Sequence, residues 1–199
     1  MAYSNFSFKA IKKQYNLQEE TTSLFPNVRL VEPSAWLIET LQRNRSGLGL
    51  ISEKARSEAL VAPILIELHQ NNIEHLSIFS GANLEADVIN GLNGECDFIL
   101  SRTPHLITVG SPIFCMVEAK KEDIYGALGQ CTAQMVGARI FNQQDEQRID
   151  DIYGCITIGT EWQFLKLSEH KILIDTSTYF IDNLPKLLGV LQTVVDAYN

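Results

Sequence analysis

The first third of the chain carries the apolar spacing of helices. Residues 6–17 predict one helix, and residues 34–42 predict another, with Ser34 as a suitable N-cap before an apolar stripe. Residues 52–70 keep the spacing of a long helix, which Pro63 is expected to kink. These patterns place helices ahead of the segments that look extended.

Short apolar runs of the kind that form strands occupy much of the remaining chain. They predict strands at residues 27–31, 76–79, 85–91, 96–101, 113–119, 153–158, 163–168 and 171–175. Asn93 and Gly94 form a strong signal for a two-residue hairpin turn. The middle strands are apolar on both faces, which indicates that helices cover the sheet on both sides.

Two more helices are predicted in the C-terminal half. One runs over residues 124–142, with Asp123 as its expected N-cap. The other runs over residues 183–198 and repeats apolar residues at helical spacing. Its apolar face is expected to pack into the core, and the seam of a homodimer is the alternative.

Together these elements predict an α/β fold, a sandwich of helices around a central mixed sheet. At 199 residues, with 45% hydrophobic residues, the chain is expected to form a single domain, 1–199. Within it we expect an N-terminal helical extension over 1–51, a core over 52–168, and a C-terminal strand and helix over 169–199.

Composition and charge narrow the setting. No apolar run is long enough for a membrane span and no secretory signal is visible, so the cytoplasm is the expected location. The four cysteines lack a C-x-x-C pair, which favours free buried thiols over zinc ligands or disulfides. A net charge of −8 counts against tight non-specific nucleic-acid binding, although acids that hold a metal ion would account for part of it.

The most informative segment is Val117-Glu118-Ala119-Lys120. Strand alternation places Glu118 and Lys120 on one face, and Asp97 on the preceding strand can converge with Glu118 if the two strands are neighbours. Two such carboxylates repel each other unless a cation or a proton intervenes. Mg²⁺, with Mn²⁺ as the alternative, suits this set because it is usually held by one or two carboxylates, waters and a substrate phosphate.

A site of this composition favours the hydrolysis of phosphodiester bonds. The metal ion would polarise the phosphoryl group and help to generate hydroxide from bound water. Lys120 would orient that water or stabilise charge that develops on the phosphate. A lowered pKa would instead let Lys120 act as a base.

The two segments Gly94-Glu95-Cys96-Asp97-Phe98 and Val117-Glu118-Ala119-Lys120 resemble the split motif of the PD-(D/E)xK nuclease superfamily, which has the restriction-endonuclease-like fold. The chain order is similar as well: a helix with a glutamate, a hairpin with the aspartate, the E-x-K strand and a helix with a glutamine. Cys96 stands where the family's motif has proline. Residues 156–164 are similar to a strand-turn-strand in the N-terminal nuclease domains of type I restriction R subunits, so the likeness covers residues 52–168.

The resemblance implies a metal-dependent nuclease, with DNA as the expected substrate. Asp97 would be the motif aspartate and a metal ligand, and Glu118 would be the second ligand. Lys120 would be the catalytic lysine.

Two further site residues follow from the resemblance alone. The acid on the first helix, a third metal ligand, would be Glu58, with Glu53 as the alternative. The glutamine after the core, which joins the catalytic set, would be Gln130, with Gln134 as the alternative.

A non-catalytic scaffold or protein-interaction module on the same fold is the competing function, because a fold does not determine an activity. The acidic balance and the absence of a basic stripe favour it. The retained acids and lysine argue against it, since buried charges without a use are costly.

Overall fold

The structure, a computed structural model, describes residues 2–104 and 107–198. Its strands are β1 Gln18–Thr22, β2 Ser77–Asp87, β3 Leu92–Ser101, β4 Ile113–Ala119, β5 Asp151–Thr157, β6 Glu161–Ser168 and β7 Lys171–Phe180. They form one seven-stranded sheet in the order β1-β7-β6-β5-β4-β3-β2. The pairs β1–β7 and β4–β5 are parallel and the other pairs are antiparallel, so the sheet is mixed.

Helices cover both faces of this sheet. The α-helices are α1 Phe8–Gln14, α2 Ala35–Gly47, α3 Glu53–Arg56, α4 Ala62–Asn71, α5 Leu128–Gln144 and α6 Leu184–Asp196. The buried residues of α2, α4 and α6 join the core on one face, and those of α1 and α5 join the core on the other. This arrangement confirms the predicted α/β class with a central mixed sheet. No helix among the described residues has both the length and the apolar content needed to span a membrane.

The long helix predicted over residues 52–70 is irregular. Ser52 caps its start, because its hydroxyl accepts a hydrogen bond from the Ala55 amide at 3.0 Å. A π-helical turn, Ser57–Val61, then separates α3 from α4, and Pro63 lies in the first turn of α4. The extra residue of a π turn changes which side chains face the sheet after it.

The hairpin and the first strand differ from the predictions. Asn93 and Gly94 lie inside β3, and the chain turns at residues 88–91, where Gly91 supplies a φ of 85°. Residues 27–31 form no strand; the strand of this region is β1, whose residues are mostly exposed. β1 is an edge strand that is held in the sheet by its pairing with β7. Because its side chains are not packed in the core, its sequence lacks the apolar alternation of a half-buried strand.

Two helix predictions are decided by capping and burial. Ala127, rather than Asp123, precedes α5, and the Asp123 carboxylate instead accepts a hydrogen bond from the Gly126 amide within a turn. The apolar stripe of α6 is buried in the protein's own core, as expected, and a homodimer through this helix stays an untested alternative. Its buried residues are Leu187, Leu188, Val190, Leu191, Val194 and Val195.

The N-terminal segment packs against α5 where that helix has small residues. A Cβ on Gly129 would come within 2.2 Å of the Phe6 carbonyl oxygen, and one on Gly137 within 2.3 Å of the Tyr3 hydroxyl. Tyr3 is itself only 1% exposed. These glycines are therefore needed for the close approach of the two segments.

Candidate active site

The acid and lysine of the E-x-K segment lie at the end of a central strand. β4 is flanked by β3 and β5, and every residue of β4 is buried. Glu118 is 1% exposed, and its Oε1 is 2.6 Å from the ammonium nitrogen of Lys120. The sequence prediction that these two side chains share a face is confirmed, and the pair is not a surface ion pair.

Asp97 is brought to the same place by the pairing of β3 with β4. Phe98 pairs with Val117, so Asp97 is the next residue along toward Glu118. Its Oδ2 accepts a hydrogen bond from the Ala119 amide at 2.7 Å. This bond holds the Asp97 carboxylate beside Ala119, the residue between Glu118 and Lys120.

Gln134, and not Gln130, contacts the acid from the helix above. The Gln134 side chain is fully buried on α5, and its Nε2 donates to Glu118 Oε2 at 2.6 Å. Its own Oε1 meets no partner among the described residues. Gln130, one helical turn earlier, is half-buried, and within the described residues the glutamine that donates to Glu118 is Gln134. The structure therefore favours the alternative glutamine over the preferred one.

Glu53, and not Glu58, lies beside the lysine. The Glu53 carboxylate is 3.7 Å from Lys120 Nζ. The Glu58 side chain is 67% exposed and lies 3.8 Å from Lys54, so the structure does not bring it into the site. Glu53 directly follows Ser52. The N-cap pattern of Ser52 is the feature of the sequence that indicates the position of Glu53 at the start of the helix.

A single arginine links α3 to the strands that carry the site. Arg56 donates from Nε to the Leu50 carbonyl at 3.1 Å and from Nη1 to the Ile158 carbonyl at 3.2 Å. The Lys120 amide donates to the Thr157 carbonyl at 2.7 Å. Glu53 and Lys120 are thus both held against the end of β5.

The electrostatics of the site follow from three carboxylates around one ammonium. Burial, with the repulsion of Asp97, raises the pKa of Glu118 to about 7, against the opposing effects of Lys120 and Gln134. Burial likewise raises the pKa of Asp97, although the Ala119 amide and Lys120 oppose it. Burial alone would lower the pKa of Lys120, but Glu118, Glu53 and Asp97 outweigh it and raise that pKa. Among these three carboxylates Lys120 is a cation at neutral pH, and the alternative in which a bound metal ion lowers its pKa stays a prediction.

The oxygen donors here are of the kind that Mg²⁺ prefers. Two carboxylates, Asp97 and Glu118, stand at adjacent positions on neighbouring strands, and Mg²⁺ usually needs only one or two in addition to waters. In the described part of the chain, no set of three or more His, Cys, Asp or Glu side chains is arranged to bind a metal ion. The residues present thus fit a site with two protein ligands and not a closed protein cage.

We expect the stability of the protein to fall between about pH 4.5 and 7 through Glu118. Over this range an unfolded Glu118 is ionised while the folded one keeps its proton, so rising pH favours the unfolded state. The contribution is up to about 3 kcal/mol. The Glu118→Gln variant removes it, so its free energy of unfolding should rise relative to wild type as the pH increases, which urea unfolding at several pH values measures.

Glu122→Gln is the control for the loss of one acid, because the Glu122 side chain is 75% exposed. A difference between wild type and Glu118→Gln that stays constant from acid to neutral pH would contradict the raised pKa of Glu118.

Comparison with known proteins adds no assignment to this geometry. The chain matches no protein-family model, and searches of curated proteins and of solved structures give no significant match.

Proposed function

We propose that the protein is a metal-dependent nuclease that hydrolyses phosphodiester bonds, with DNA as the substrate. One observation carries this proposal. Asp97 and Glu118 lie together at the end of β4, and the Lys120 ammonium nitrogen is 2.6 Å from the Glu118 carboxylate. The same order of acid, acid and lysine motivates the likeness to the PD-(D/E)xK superfamily, and a restriction-endonuclease-like arrangement of the sheet and helices is part of the proposal.

The charge balance of the site supports the binding of a cation. Asp97, Glu118 and Glu53 bring three carboxylates to one ammonium group. Burial raises the pKa of Glu118, and the repulsion of Asp97 raises it further, so a negative charge on Glu118 is unfavourable here. A divalent cation would relieve it, as a proton does otherwise.

Asp97 and Glu118 would hold the Mg²⁺ or Mn²⁺ ion, which would polarise the phosphoryl group and acidify bound water. Lys120, as a cation, would orient the attacking water and stabilise negative charge on the phosphate oxygens. Gln134 would keep Glu118 in place through its hydrogen bond. The water oxygen forms the new bond to phosphorus, and the bond from phosphorus to the ester oxygen breaks.

Calorimetric titration with Mg²⁺ and Mn²⁺ and a plasmid-cleavage assay test the proposal together. We expect wild type to bind the metal and to cleave, and a chelator to abolish cleavage. The Asp97→Asn variant should bind the metal at least about 10-fold more weakly, because it loses one of two charged ligands.

Glu85→Gln is the matched control, since it removes an exposed acid from β2. Metal binding that is absent in folded wild type, or equal in wild type and Asp97→Asn, would contradict the site.

A non-catalytic scaffold is the second candidate, and one observation favours it. Both carboxylate oxygens of Glu118 already have partners, Lys120 and Gln134, each at 2.6 Å. A metal ion would have to share Glu118 with these two donors, through the remaining lone pairs of its carboxylate. A folded wild type that binds no divalent cation would support this candidate over the nuclease.

A further inference from the structure

Phe180 lies at the same end of the sheet as the Glu118 site. Pairing between neighbouring strands places four residues in one row across the sheet, which are Ala119, Thr157, Trp162 and Tyr179. Lys120 follows the first residue of this row and Phe180 follows the last, and β4 and β7 run in the same direction. Three strand spacings separate them, so the two residues are about 14 Å apart. The Phe180 side chain is 50% exposed, so its ring is open to a ligand beside the site.

A second aromatic ring lies on the turn that leads from Lys120 to α5. Tyr125 is 74% exposed, and its carbonyl accepts a hydrogen bond from the amide of Leu128, the first residue of α5. The same helix carries Gln134, which donates to Glu118. The turn is therefore tied to the site at both of its ends.

The loop before α3 adds an aliphatic side chain to the same surroundings. Ile51 is 81% exposed and lies two residues before Glu53, whose carboxylate is 3.7 Å from the Lys120 ammonium nitrogen. Single exposed apolar side chains are ordinary on a protein surface, whereas several around one site indicate a surface that binds a ligand. Here they come from three separate segments, which are the loop before α3, the turn before α5 and the end of β7.

Cations around the site already have carboxylates beside them. The ion pairs are Lys120 with Glu118 and Glu53, Lys121 with Glu122, Lys54 with Glu58, and Arg45 with Asp182. The chain as a whole has a net charge of −8. Binding through many phosphate contacts requires cations that are free to neutralise the nucleic-acid backbone, so this surface is poorly suited to the outside of a duplex.

Aromatic rings suit the bases instead. Every base has a π face that stacks on an aromatic side chain, and this stacking tolerates any sequence. In a duplex those faces are covered by the neighbouring base pairs, whereas in a single strand they are accessible. The two exposed rings, Tyr125 and Phe180, therefore favour a single strand.

We propose that the site acts preferentially on single-stranded DNA, whose bases stack on Tyr125 and Phe180 while its backbone lies against Lys120. Duplex DNA would react more slowly, where its strands open. This inference rests on the proposed nuclease function, because that function is what brings a phosphodiester to Lys120.

Fluorescence anisotropy with a labelled oligonucleotide, in a chelator so that no cleavage occurs, tests the proposal. We expect wild type to bind the single strand at least about 10-fold more tightly than the same sequence as a duplex. Tyr125→Ala and Phe180→Ala should each raise the dissociation constant for the single strand at least about 5-fold, because each removes a stacking ring. Tyr125→Phe keeps the ring and should bind within about twofold of wild type.

Trp36→Ala is the matched control. Trp36 is an exposed aromatic residue in the first turn of α2, whereas Arg45, at the other end of that helix, pairs with Asp182 near Phe180. The control should bind as wild type does. Binding by stacking should also depend weakly on salt, with a slope of log K against log salt smaller in magnitude than about 2, which corresponds to fewer than about three phosphate contacts.

Equal affinity for single strand and duplex, or equal binding by wild type and Tyr125→Ala, would overturn the proposal. Because Tyr125 is mostly exposed, its variant tests the surface without disturbing the core. A separate cleavage assay with Mg²⁺ on the same single strand distinguishes the two proposals. Binding that depends on Tyr125 without any cleavage contradicts the nuclease alone, and cleavage with binding that Tyr125→Ala leaves unchanged contradicts the stacking surface alone.

Discussion

The Lys120→Ala variant is expected to lose about 10²–10⁴-fold in the rate of metal-dependent DNA cleavage. Among the described residues, Lys120 is the one cation in direct contact with Glu118. If the proposed function is right, the variant removes the group that would orient water and stabilise charge on the phosphate. Single-turnover cleavage of a labelled duplex, at saturating Mg²⁺, measures the loss without interference from product release.

Lys121→Ala is the matched control. Lys121 is the next residue, its side chain is 55% exposed, and its ammonium lies 3.2 Å from Glu122. We expect cleavage within about twofold of wild type, because an exposed pair of this kind contributes little. Equal cleavage by wild type and Lys120→Ala would remove Lys120 from the mechanism, and equal loss in both lysine variants would assign the effect to net charge.

The Trp162→Ala variant is expected to lose about 3–5 kcal/mol of unfolding free energy. Trp162 is fully buried on β6, and its indole nitrogen donates to the Gly159 carbonyl at 3.2 Å. The substitution leaves a cavity in the core and frees a carbonyl in the turn between β5 and β6. Denaturant unfolding followed by circular dichroism measures the change.

The second tryptophan of the chain provides the control. Trp36 lies on α2 and is 47% exposed, so Trp36→Ala should change the unfolding free energy by less than about 1 kcal/mol. If both variants lose the same amount, the loss cannot be attributed to burial of Trp162. The turn that Trp162 supports follows Thr157, whose carbonyl accepts from the Lys120 amide, so the variant also tests how firmly β5 holds the site.

The sequence alone predicted the elements that are governed by their own side chains. The bounds of β4, residues 113–119, agree with the structure because the strand is apolar on both faces and is bounded by Pro112 and Lys120. The shared face of Glu118 and Lys120 follows from strand alternation alone. The edge strand β1 was missed because pairing with β7, and not an apolar pattern, determines it.

Two choices at the site, one between two glutamates and one between two glutamines, depend on how a helix is rotated about its axis. Short sequence patterns do not reveal that rotation. Glu53 and Glu58 are five residues apart, which in a helix directs their side chains about 140° apart, so that Glu53 meets the lysine while Glu58 faces solvent. Gln130 and Gln134 differ by one turn of α5. Which of them stands over Glu118 depends on where the loop after β4 delivers the helix.

The direction of the lysine pKa also required the structure. A neighbouring metal ion would lower that pKa, whereas neighbouring carboxylates raise it. The sequence does not show how many carboxylates surround Lys120. The structure adds Glu53, whose carboxylate lies 3.7 Å from the Lys120 ammonium nitrogen. The three carboxylates, Glu118, Glu53 and Asp97, outweigh the effect of burial and raise the pKa of Lys120.

The position of β1 has a consequence for how the chain folds during synthesis. Gln18 pairs with Lys171, so β1 leaves the ribosome well before its partner strand, which lies about 150 residues later. The Tyr3 segment likewise packs against α5, which is synthesised much later. Contacts of such long sequence separation slow folding, because the loop they close must be ordered first. The central strands can therefore assemble before the chain is complete, while one edge of the sheet is finished only after β7 has been released.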